Sequence, residues 1–200
     1  KIKATFGQKP LVLGQKYISR NDTLELSMLK FYLTAIEFDF ADGTQFKEKE
    51  SYHLVDVADA NSMLLKFPIT NKKINTIRFS IGVDSLTSTS GALSGDLDLQ
   101  NGMYWAWQSG YINMKIEGKS NRCATRKNQF HFHLGGYLPP YNALRTVEIP
   151  VNSKDNFSEL IVDLAPFFET LDLKEMNTVM SPSTTAMELA DKTTLLFRIK

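Results

Sequence analysis

The chain has 200 residues and a mass of 22.6 kDa. A single domain of that length buries about 70% of its unfolded surface, so it can fold without a disulfide or a structural metal. At 42% hydrophobic and 22% charged residues it falls outside the disordered and collagen-like classes. With 23 basic against 22 acidic residues, its net charge of +1 gives no global field for nucleic acid. No apolar stretch reaches the ~18 residues of a membrane span.

Period-two alternation of apolar residues dominates the chain and predicts strands. The first long run goes from Met28 to Leu33 and on through Ile36, Phe38 and Phe40 to Asp42-Gly43. Asp-Gly between apolar runs marks a hairpin, with a return strand at Thr44–Phe46 and a further strand at Tyr52–Val57. Ile77, Phe79, Ile81 and Val83 form one buried strand face. The stretch from Ser85 to Gly95 reads as a polar loop. Ile112, Met114 and Ile116 alternate with outward Asn113, Lys115 and Glu117. Phe130, Phe132 and Leu134 form another inward row, and Val147, Ile149 and Val151 a fourth. Pro68 and Pro150 fall at run ends, where a missing N–H is tolerated. A strand at Leu160–Leu164 leads into a short helix at Leu164–Leu171, and Ser181-Pro182 precedes a second at Thr184–Ala190. The expected fold is all-β: one antiparallel β-sandwich over residues 1–200, with one or two short helices.

Four features are candidates for chemistry. Two of the three histidines, His131 and His133, are separated by one residue. On a strand they share a face, roughly 6.5–7 Å apart at the backbone. Two imidazoles so placed can converge on Cu, Zn, Ni or Fe. They can also be a solvated polar face, or one satisfied and one exposed histidine, and the third histidine, His53, is distant in sequence. Both tryptophans, Trp105 and Trp107, also stand at i and i+2, between Tyr104 and Tyr111. They suit a core plug, a site wall or an aromatic stacking surface. The acidic stretch Asp96–Gly102 fails as a calcium loop: its glycine is one position late, and the bidentate carboxylate position would fall on Trp107. Cys123 is alone, which favours a structural thiol. Hydrolase and phosphate-loop signatures are absent, and the Glu159/Asp163 pair has no independent sign of acid–base work.

Gly-Met-Tyr-Trp-Ala-Trp-Gln-Ser-Gly-Tyr at 102–111, followed about twenty residues on by Phe-His-Phe-His-Leu-Gly-Gly, resembles the MbnP-like copper-binding family. This family comprises methanobactin-associated periplasmic proteins and their relatives, common in Bacteroidetes. The segments at 29–36, 51–56, 79–84 and 142–147 fit the same pattern, so the resemblance runs over nearly the whole chain. It implies an exported β-sandwich that binds copper through imidazoles, with a tryptophan oxidised to kynurenine as an additional ligand. His133, before Leu-Gly-Gly, matches the family's histidine; Trp105 and Trp107 match its tryptophans. The chain departs from the pattern in lacking a histidine at Lys3–Gly7 and at its C-terminal end.

The expected function is a non-catalytic, exported copper-binding protein, periplasmic or attached to the outer membrane as a lipoprotein. Its metal ligands would be His133 and His131, with Trp105 or Trp107 as site wall or modified ligand. Tyr104 and Tyr111 would offer an aromatic surface. The alternative is a metal-free sandwich that binds a glycan or a protein.

Overall fold

The computed structural model describes residues 1–20, 22–69, 72–91, 93–151 and 159–200. The chain opens with β1 (Ile2–Phe6), β2 (Lys9–Pro10), β3 (Lys16–Ser19) and the 19-residue β4 (Asp22–Phe40). β5 (Gln45–Lys47), β6 (Tyr52–Asp56) and β7 (Ile74–Ile81) follow, then the helix α1 (Ser85–Thr89). Next come β8 (Tyr104–Trp105), β9 (Gly110–Ser120), β10 (Gln129–Gly135), β11 (Tyr137–Leu138), β12 (Tyr141–Asn142) and β13 (Arg145–Pro150). The chain closes with β14 (Leu160–Asp163), α2 (Ala165–Glu169), β15 (Thr178–Val179), α3 (Thr184–Thr193) and β16 (Phe197–Ile199). Among the described residues no helix is long and apolar enough to cross a membrane.

The architecture is set by β4. Its inward residues change parity twice: Leu24 and Leu26, then Leu29, Phe31 and Leu33, then Ile36, Phe38 and Phe40. Register shifts between Leu26 and Met28 and between Thr34 and Glu37 produce both changes, because one extra residue moves the following side chains to the other face. Ala35, at φ 49°, lies in the second shift. Ser51 secures it: its carbonyl accepts from Ala35 N–H and its hydroxyl oxygen from Ile36 N–H. Lys30 pairs with Lys115 of β9 on one edge and Asp56 of β6 on the other. Leu33 pairs likewise with Ile81 of β7 and His53 of β6. One edge of β4 therefore takes β9 and then β7, and the bent strand serves both arms of a curled sheet ordered β13-β7-β4-β9-β10-β15.

A second sheet, β16-β14-β1-β2, packs across from it. The main apolar core lies between the two, with Phe130 and Phe132 meeting Phe168 and Phe167 of α2 at ring separations of 5.3 and 5.6 Å. The sandwich expected from the alternation is present, with two corrections. Pairs β1–β14 and β10–β15 are parallel, so the sheets are mixed. The stretch read as a polar loop contains α1, whose N-cap Asp84 accepts from Thr87 N–H; within that stretch Ala92 lies outside the described residues.

On the other face of the large sheet sits a smaller cluster, including Tyr32, Val83, Leu97, Met103, Trp105, Tyr111 and Ile112. Two buried tyrosines fasten the acidic stretch over it. Tyr32 donates to the Asp96 carbonyl at 2.9 Å and Tyr111 to the Leu97 carbonyl at 2.7 Å. The Asp98 carboxylate caps one turn by accepting from Gln100 N–H, and the Asp96 carboxylate accepts from Leu54 N–H, so both are engaged within the protein rather than arranged as an ion loop.

Candidate functional site

His131 and His133 stand on β10 with their side chains on the face opposite Phe130, Phe132 and Leu134, as alternation requires. Strand register then decides what they meet. One cross-strand row runs Met28, Glu117, His131, Thr178; the next runs Asp56, Lys30, Lys115, His133. Glu117 reaches diagonally between these rows. Its Oε1 lies 2.7 Å from His133 Nε2 and 3.8 Å from His131 Nδ1. One ligand atom from each of Glu117, His131 and His133 lies within 4.8 Å of the other two. The imidazole planes are nearly perpendicular, at 88°.

Burial grades the three groups. The His133 side chain is 7% exposed, Glu117 20% and His131 30%. Burial disfavours the charged imidazolium and holds His133 below its ordinary value, against the opposing bond to Glu117. Burial also works against the Glu117 carboxylate. The His133 bond and Lys115, whose Nζ is 3.7 Å away, outweigh it and hold Glu117 below the usual range. The resting pair is thus a carboxylate accepting from a neutral imidazole Nε2–H. A metal at this point would displace that proton and meet two nitrogens and a carboxylate oxygen, a donor set that suits Cu(II) and Zn(II). Lys115 opposes any cation there, and its Nζ also donates to the Gly102 carbonyl.

Glu117 is the third member of this cluster, and reading the sequence missed it. It appears there as an outward residue of a strand, and only the pairing of Glu117 with His131 brings it to the histidines. His53 joins a different group. Its Nε2 is 2.7 Å from Glu48 Oε2, which also accepts from the Ser51 hydroxyl, so it braces the bulge of β4.

The tryptophans do not act as a pair of equals. β8 ends at Trp105, the chain turns, and Ser109 takes a left-handed φ of 54°. Trp105 is 6% exposed and Trp107 65% exposed, with ring centroids 5.7 Å apart. Trp105 lies against Gly135, two residues along β10 from His133; a Cβ there would come within 2.8 Å of the indole. Tyr111 is buried, so the aromatic surface expected of Tyr104 and Tyr111 is not formed as such; Tyr104 is half-buried, with its ring 5.0 Å from that of Tyr111. Acrylamide quenching should therefore resolve two emitters, a shielded Trp105 and an accessible Trp107. Trp107→Phe should remove the quenchable component alone; emission that stays freely quenchable in that variant contradicts this burial pattern.

Cys123 is free and buried, and burial foremost pushes its thiol above the ordinary value, consistent with a structural role.

The MbnP family model matches residues 1–181. A comparison with curated proteins found no match. Among solved structures, MbnP from Methylosinus trichosporium is similar, with a TM-score of 0.63 and 14% identity over 91% of this chain and 80% of that one. At that identity the likeness is one of fold.

Proposed function

The chain belongs to the MbnP family, and on that premise we propose that it is an exported protein that holds a copper ion and catalyses no reaction. Glu117, His131 and His133 are its protein ligands. The observation that carries this reading is the convergence of one carboxylate and two imidazole donors within 4.8 Å on paired strands. A nitrogen-rich set with one carboxylate suits copper better than magnesium or calcium, which take oxygen ligands. The site is built on rigid strands, backed by the core through Phe130, Phe132 and Leu134, so the ligands are positioned before the ion arrives. Trp105 of β8, which lies against Gly135 of β10, is the residue we assign as site wall, and as the tryptophan whose oxidation would supply a further ligand.

The test is metal analysis of protein purified without chelator, followed by copper titration against a competing chelator. Replacing both histidines with alanine should abolish stoichiometric binding. Unchanged affinity in that double variant would falsify the site. Intact-mass measurement and peptide mapping of the same sample report whether Trp105 is converted.

A second reading, a metal-free module for a glycan or protein, is favoured by one observation: Trp107 presents its ring to solvent. Trp105 and Tyr111 are buried and add no exposed ring to it, which makes this the weaker account.

A further inference from the structure

Away from the histidines, a cavity of about 370 Å³ opens between the two sheets. One wall is Ile36 and Phe38 of β4 with Ile77 of β7; the other is Ile2 of β1 and Leu160 of β14, and Phe67 closes a side. Elsewhere the gap between the sheets is filled. Phe197 of β16 sets its ring 5.7 Å from Phe31 and 5.2 Å from Phe79, and the aromatic rings of α2 pack under β10. The second bulge of β4 turns Ile36 and Phe38 inward at this end, but no helix side chain lies among the lining residues.

An opening of this size falls within the ~300–1,000 Å³ of small-molecule sites. Among the described residues, the side chains lining this space are apolar apart from lysines. Those are Lys1, Lys72 and Lys73, and among the described residues no carboxylate lines the cavity. Lys72 is engaged, with Nζ on Asp42 and the Thr44 hydroxyl and lying 5.4 Å from the Phe40 ring centroid. Lys73 makes no ion pair among the described residues.

We propose that this cavity binds a single-chain fatty carboxylate, with the alkyl chain between the sheets and the carboxylate at Lys73. The apolar side chains of the two sheets suit an alkyl chain, and the lysines among the lining residues suit an anionic head group. The proposal is independent of the copper reading, since it uses none of the same residues.

Calorimetric titration of the full chain with decanoate, decanol and decyltrimethylammonium tests it. Decanoate should bind saturably with one site, decanol about ten-fold more weakly, and the cation not measurably. Ile36→Trp should abolish decanoate binding by filling the space. Leu65→Trp, from the loop side of the cavity, is the second filling variant should the first fail to fold by circular dichroism. Lys73→Glu should weaken decanoate about ten-fold and leave decanol unchanged. Absence of saturable decanoate binding overturns the proposal. So does binding that survives a folded cavity-filling variant. Decanol binding as tightly as decanoate, or decanoate binding indifferent to Lys73→Glu, overturns the carboxylate assignment.

Discussion

Replacing Phe132 with alanine is expected to lower the free energy of unfolding by about 3–5 kcal/mol, the usual cost of truncating a buried phenylalanine. Phe132 is 0% exposed, with its ring 5.8 Å from Phe130 and 5.6 Å from Phe167. It stands between the two histidines in sequence, on the opposite face of the strand. It couples β10 to α2 and, through them, one sheet to the elements packed beneath it. For a chain of this length each kcal/mol moves the melting temperature by about 2–4 °C, so a drop of order 10 °C should be seen. His131→Ala should change stability by less than about 0.5 kcal/mol, because the ring is partly exposed and lies 3.8 Å from its charged neighbour. Urea titrations of the two variants check this contrast. A Phe132→Ala variant within about 1 kcal/mol of the parent would mean that α2 does not anchor this strand as described. The contrast also separates fold from site. The site's own side chains face away from the main core, so losing a bound ion should leave the sandwich standing.

The strands that anchor the site were legible because each has one face against the core. Alternation at 77–83, 112–116, 130–134 and 147–151 corresponds to β7, β9, β10 and β13, with Pro150 at the end of β13. The helix near Thr184 was legible from Ser181-Pro182, and Ser183 supplies the actual cap by accepting from Ala186 N–H; the helix near Leu164 was read only from its place after a strand. Three things were not. Two-residue strands such as β8 and β15 are too short to show a period. The parity changes along β4 are written in Leu26, Leu29, Leu33 and Ile36, but a bulge becomes evident only once both flanking registers are known. The third candidate ligand was hidden for the same reason. Which residue of β9 faces the histidines is a property of pairing between strands, and a shift of one residue would have presented Ile116 or Gly118 instead of Glu117. Trp107 shows the converse error, since spacing at i and i+2 implies a shared face only while the strand continues.

Glu117→Gln should weaken Cu(II) binding by about 10- to 100-fold while changing Cu(I) binding by less than about five-fold. Two imidazoles alone satisfy Cu(I), whereas Cu(II) also favours an anionic oxygen donor. Removing that carboxylate takes away both a ligand and the negative charge that offsets Lys115. The size of the loss follows from ligand-shell substitutions, where even an outer partner costs 10- to 100-fold. Glutamine is the right probe because its amide oxygen can still accept from the His133 Nε2–H, now made at 2.7 Å to Glu117. His133→Ala is a poorer one: it would strip a half-buried carboxylate of its closest partner and destabilise the fold by about 1–3 kcal/mol, confounding affinity with folding. His131→Ala is clean on stability and should reduce both oxidation states, since each needs the second imidazole. Competition titrations with chelators specific for each oxidation state, run on the parent and both variants, read out the pattern. Equal losses for Cu(I) and Cu(II) in Glu117→Gln would show that the carboxylate only positions His133. No loss for either ion would remove Glu117 from the site and leave a pair of imidazoles in need of a donor from elsewhere in the fold.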